Sequence, residues 1–148
     1  DLKQLVQAHP ACKTGTSRQG MTLAWKAAED GKVEALRVLA DARADLNTGS
    51  KSGQSPAWIA ANNGKADALQ VLADAGADLS SPDRDGITPA WAAADEGQVE
   101  ALRVLVDARA DLSTGSLGGA IPAWKAAEMG QVDALRVLAE AGADLSTP

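Results

Sequence analysis

The sequence predicts an all-α chain built as a solenoid of repeated helix-turn-helix units, and three observations predict it. The four tryptophans stand at positions 25, 58, 91 and 124, each 33 residues from the next, in a chain without Phe or Tyr. Aromatic content placed by a period marks a repeat array, whose core is made of contacts between neighbours and needs no single large centre. Alanine and leucine dominate the apolar positions while β-branched residues are scattered, which favours helix. Glycines recur at fixed offsets from each Trp and divide every unit into a short and a longer helix.

Aligned on glycine, the units run 20–52, 53–85, 86–118 and 119–148, each reading as turn, short helix, Gly, longer helix and extended loop. In the second unit Ser55 can cap a helix, Pro56 suits its first turn, and "PAWIAANN" ends at Gly64. The next helix, "ADALQVLADA", gathers Ala68, Leu69, Val71 and Leu72 on one apolar face, and Gly76 can take the left-handed conformation that stops it. Leu79 anchors the following loop, in which Pro82, Asp83 and Gly86 supply turn chemistry. At the place of Gly76 and Gly142, units one and three carry Arg43 and Arg109. A non-glycine there costs about 1 kcal/mol, offset by the attraction of a cation to a helix C-terminus; alternatively the two arginines mark one edge of a contact surface.

The fourth unit departs most. Ile121 replaces the Ser or Thr before Pro and removes the cap, and Gly118-Gly119 is expected to loosen the turn, leaving this unit's first helix the softest. Leu117 occupies the turn tip where the other units have Arg18, Lys51 and Arg84, and an apolar tip is a plausible anchor for a partner. The last helix keeps the internal apolar pattern although a terminal repeat needs a polar outer face. The expectation is an uncapped end, with either more chain beyond Pro148 or another protein over it.

"GITPAWAAADEGQVEALRVLVDARADLS" strongly resembles the ankyrin repeat, whose pattern runs G-x-T-P-L-H-x-A-A, then Gly, a Leu-rich second helix and G-A-D. The resemblance recurs four times in register over nearly the whole chain, taken as one domain, 1–148. It implies antiparallel helix pairs stacked in a curved array, with projecting turns. Residues 2–15 line up with 36–49, so 1–19 is similar to the second half of a preceding unit, and Cys12 falls at the apolar anchor position of Leu46. A buried, inert thiol is expected there.

Where the family has Leu-His, all four units have Ala-Trp, a large-small exchange that roughly conserves volume. Trp is accordingly read as packing between the two helices of its unit. In the family the His joins a hydrogen-bond network with the motif Thr; an indole only donates, so the network here must differ. The alternative is that the Trp sites hold a flat ligand, pigment or peptide.

The resemblance also implies a protein partner, bound by turn tips and by the concave face of the first helices. Carried over by position, the tips include Arg18, Gln19 and Met21, Lys51, Ser52 and Gln54, Arg84, Asp85 and Ile87, and Leu117, Gly118 and Ala120. The helix stripe is Glu29, Asp30, Asn62, Asn63, Asp95, Glu96, Glu128 and Met129. Its five carboxylates repel unless screened or matched, so a partner using this stripe should present Lys or Arg.

Other classes are disfavoured. A net charge of −6 and a pI near 4.7 oppose binding to nucleic acid. Cys12 and His9 are each the sole residue of their type, so no disulfide framework or Cys/His metal site is expected. "DRDG" at 83–86 is like the opening of a calcium loop, but its twelfth position is Ala94 where Glu is required; "SLGGA" lacks the spacing and lysine of a phosphate loop. No convergent nucleophile, base or metal set is present, so the chain reads as non-enzymatic and without a cofactor. No apolar run approaches about 18 residues, so no transmembrane segment is expected. The missing initiator Met suits a processed form or an excerpt, with a cytoplasmic address or an organellar one after removal of a targeting segment.

The leading reading is a protein-interaction module. The alternative is a structural accessory subunit fixed within a large multi-subunit assembly. Because the Ala-Trp variant is similar to algal repeats, an organellar or photosynthetic membrane complex is one candidate.

Overall fold

A computed structural model describes residues 20–146. Cys12, Arg18, Gln19 and the rest of segment 1–19 lie outside the described residues. Eight helices are described: α1 (Leu23–Glu29), α2 (Val33–Asp41), α3 (Pro56–Asn62), α4 (Ala66–Asp74), α5 (Pro89–Asp95), α6 (Val99–Asp107), α7 (Pro122–Glu128) and α8 (Val132–Glu140). The odd-numbered helices stack on one another and the even-numbered ones form a second layer, each short helix packing on the longer helix of its pair.

Local chemistry sets the helix starts. Thr22, Ser55 and Thr88 are extended and buried, and their hydroxyl oxygens accept from the backbone N–H of Trp25, Trp58 and Trp91 at 3.1, 3.1 and 3.2 Å. Each bond satisfies one orphan donor of a helix N-terminus. Ile121 has the same extended geometry but gives no such bond, as expected from its side chain. The turn before it contradicts expectation. Despite Gly118-Gly119 it keeps the two backbone bonds of the other tips, Ser116 N–H to Ala120 and Gly119 N–H to Ser116, matched by Ser50 to Gln54 and Gly53 to Ser50. The glycine that needs a positive φ is Gly119, equivalent to Gly53 and Gly86, so Gly118 adds freedom where the bonding is already fixed.

The longer helices end in a left-handed residue flanked by two reverse hydrogen bonds. Ala77 N–H reaches Leu72 and Gly76 N–H reaches Ala73, and the same pair recurs at Ala44 to Leu39 and Arg43 to Ala40. Arg43 and Arg109 adopt φ 54° and 57°, so a left-handed arginine stands where units two and four have glycine.

Between the layers lies an alanine-leucine core. Ala68, Leu69, Val71 and Leu72 are all buried, and Leu36, Leu39, Leu102, Leu105 and Leu138 are sealed with them. Each fully buried leucine contributes about 1.5–3 kcal/mol relative to exposure, while the alanines let the helices approach closely. Loop anchors Leu46 and Leu79 are buried, Leu112 is half-buried and Leu145 is exposed.

The tryptophans add to the sequence reading. They do not pack alike within their own units: Trp25 and Trp58 are buried, Trp91 is half-buried and Trp124 is 42% exposed. Trp58 Nε1 donates to Ile87 O at 2.9 Å and Trp91 Nε1 to Ala120 O at 2.8 Å, both in the following unit. The indole is thus an inter-unit fastener, and its cover depends on the neighbour. Trp25 Nε1 is buried and meets no acceptor among the described residues.

Candidate partner-binding surface

The stripe residues share one structural address. Glu29, Asn62, Asp95 and Glu128 are the last residues of the four short helices, and Asp30, Asn63, Glu96 and Met129 are the residues that cap them. A positive-φ glycine follows each, Gly31, Gly64, Gly97 and Gly130, and turns the chain into the longer helix. Neighbouring units are fixed in register at this end. Gln98 Nε2 donates to Asn62 O and Gln131 Nε2 to Asp95 O, both at 3.1 Å, and Asn63 Nδ2 reaches Glu29 O at 3.4 Å.

Two lysines of the chain meet four of the five stripe carboxylates. Lys26 Nζ lies 2.7 Å from Glu29 and 3.2 Å from Asp30; Lys125 Nζ lies 2.8 Å from Glu128 and 3.6 Å from Asp95. Lys125 also sits 5.3 Å from the centre of the Trp91 ring. Hydrogen bonds to Glu29 and then Asp30 hold Lys26 above the ordinary lysine value, and the bond to Glu128 chiefly does so for Lys125. The main effect of these pairs is on surface charge. Glu96 has no such cation among the described residues. It lines an open polar groove of about 520 Å³ with Asn62, Asn63, Lys65 and Gln98.

Neither lysine was among the sequence-read site residues. The spacing Lys26 to Glu29 and Asp30, and Lys125 to Glu128, carried the signal, since residues three and four apart meet on a helix. The Lys125–Asp95 pair joins different units and needed the register of the stack.

The tips sit at the other end of the short helices. Arg84 N–H donates to Ser52 O and Leu117 N–H to Asp85 O, both at 3.0 Å, which joins consecutive tips through the backbone. Lys51 and Arg84 are exposed, and Leu117 is 79% exposed, the barest large apolar side chain described. Ile87 turns inward: it is half-buried, packs against the core, and its carbonyl holds Trp58. A seven-residue helix rises about 10 Å, so tips and stripe form two rows separated by that length.

Among the described residues no group of three or more His, Cys, Asp or Glu could hold a metal ion, and no helix is long and apolar enough to cross a membrane. The family description that the chain matches is ankyrin repeats in three copies, over residues 1–83 and again over 58–148. No curated protein matches the chain.

Proposed function

The chain belongs to the ankyrin-repeat family, and we propose that it is a non-enzymatic module that binds a protein partner across its first-helix stripe and turn tips. Ankyrin repeats are generally protein–protein interaction modules, which supports the class. The observation that carries the surface is the row of eight equivalent positions at the ends of the short helices, held in register by backbone acceptors that belong to the stripe itself. A pre-organised row loses little conformational entropy on binding. With Lys26 and Lys125 paired to the other stripe carboxylates, the recognition point for a partner cation narrows to Glu96, in the groove it shares with Asn62, Asn63 and Lys65.

Charge reversal tests this. Glu96→Lys should abolish retention of the native partner while leaving the unfolding midpoint unchanged, whereas Arg103→Ala on α6 should retain it. Equal retention by both variants would remove the stripe from consideration. A second reading, an accessory subunit fixed in a larger assembly, is favoured by the bare apolar side chain of Leu117 at a turn tip, 79% exposed.

A further inference from the structure

Three Ser/Thr-Pro dipeptides occur among the described residues, and they are of two kinds. In Ser55-Pro56 and Thr88-Pro89 the hydroxyl residue is buried and its oxygen caps a helix. Ser81-Pro82 lies instead in the loop after α4, outside any helix, with Ser81 half-buried and Pro82 exposed. Pro82 stands where the loops of units one and three have Gly49 and Gly115, and Arg84 follows it, exposed.

Proline lacks an N–H and holds the residue before it extended. Ser81 is thus presented as a kinase cleft takes its substrate chain, with no backbone donor behind it to be left unpaired. The guanidinium of Arg84, three residues beyond Ser81, gives an acidic subsite a cation to hold.

The hydroxyl of Ser81 also sits at a junction. It donates to the Asp78 carboxylate, and the loop around that bond ties three units together. Asp78 N–H donates to Asn47 Oδ1 at 2.8 Å, and Ser80 Oγ accepts from Asp111 N–H at 3.0 Å. A phosphate on Ser81 has no hydroxyl proton to offer Asp78 and brings a charge of about −1.5 to −2 against that carboxylate.

We propose that Ser81 is a phosphorylation site for a proline-directed protein kinase, and that the modification loosens the loop ties between units one, two and three. The γ-phosphoryl group of ATP passes to Ser81 Oγ: an O–P bond forms, the bond to the ADP leaving group breaks, and the hydroxyl proton goes to the kinase's catalytic carboxylate. Repulsion then drives Asp78 from its place, and the inter-unit bonds on either side lose their fixed geometry. The site stands apart from the first-helix stripe, so either reading can fail without the other.

The test incubates the full chain with a purified proline-directed kinase and Mg-ATP and reads the digested peptides by mass spectrometry. One phosphate should appear on Ser81 and none on Ser55 or Thr88. Pro82→Ala should remove the labelling, and Arg84→Ala should slow it. The phosphorylated chain should unfold at a lower urea concentration than the unmodified one, and Asp78→Asn, with no carboxylate to repel, should show a smaller shift. The same phosphopeptide should be present on the chain isolated from its source cells. Labelling that survives Pro82→Ala, or a native chain without phosphate on Ser81, overturns the site. An unchanged unfolding midpoint overturns the loosening.

Discussion

Trp25 and Trp58 make a controlled comparison of one hydrogen bond. Both indoles are buried to nearly the same degree, 6% and 9% exposed, at equivalent positions of successive units. Replacement by Phe therefore removes similar packing from each. In Trp58→Phe the change also deletes the 2.9 Å bond to Ile87 O, which still accepts from the Asp83 N–H. That loss costs about 1 kcal/mol. In Trp25→Phe no bond is lost and a buried orphan donor disappears, relieving a penalty of about 1–3 kcal/mol. The difference between the variants should thus be about 2 kcal/mol or more, with Trp58→Phe the less stable. Urea unfolding followed by circular dichroism measures it; at a slope of about 2 kcal/mol per molar, the midpoints separate by about 1 M. Equal midpoints, or Trp25→Phe the lower, would refute the assignment of the indole as an inter-unit fastener.

The remaining predictions use the same assay. Thr88→Val preserves shape but leaves the Trp91 N–H without its cap and should cost about 1 kcal/mol, whereas Ile121→Val, where no cap bond exists, should cost only its lost methyl contact. Gly76→Ala meets open space and should cost only the backbone penalty of a left-handed residue, about 1 kcal/mol; Gly97→Ala should cost more, because its Cβ would fall 2.3 Å from the Gln131 side chain. The Ser81 hydroxyl, with the N–H groups of Ser80 and Ser81, holds Asp78 below the ordinary 3.8. A depressed folded-state value means stability that is complete above pH 3.8 and is lost as pH falls through the native value, so the wild-type midpoint should drop in that window while Asp78→Asn should show a shallower fall.

What the sequence made legible was whatever depends on one unit at a time. The buried face of α4, the hydroxyl caps and the left-handed arginines follow from spacing and local chemistry, because each is decided within a few residues. The tryptophans were not legible in the same way. Four identical Ala-Trp pairs range from buried to exposed because part of their cover lies in the next unit, and the fourth has no next unit among the described residues. The stripe positions fall at the helix ends, but the pairing of Lys125 with Asp95 of another unit needed the register of the stack. Ile87 looked like a tip residue by position; the turn that follows Asp83 instead folds it onto the core.

The first-helix stripe is proposed to meet a protein. Site-specific photocrosslinking in the source cells tests it most directly, with the reactive group placed at position 96 and, as a control, at position 103 on the opposite layer. A discrete crosslinked protein is expected from 96, lost when Asn62 and Asn63 are replaced by lysine, and none from 103. Products from 103 alone, or none from 96 in cells where the chain is folded and abundant, would contradict it.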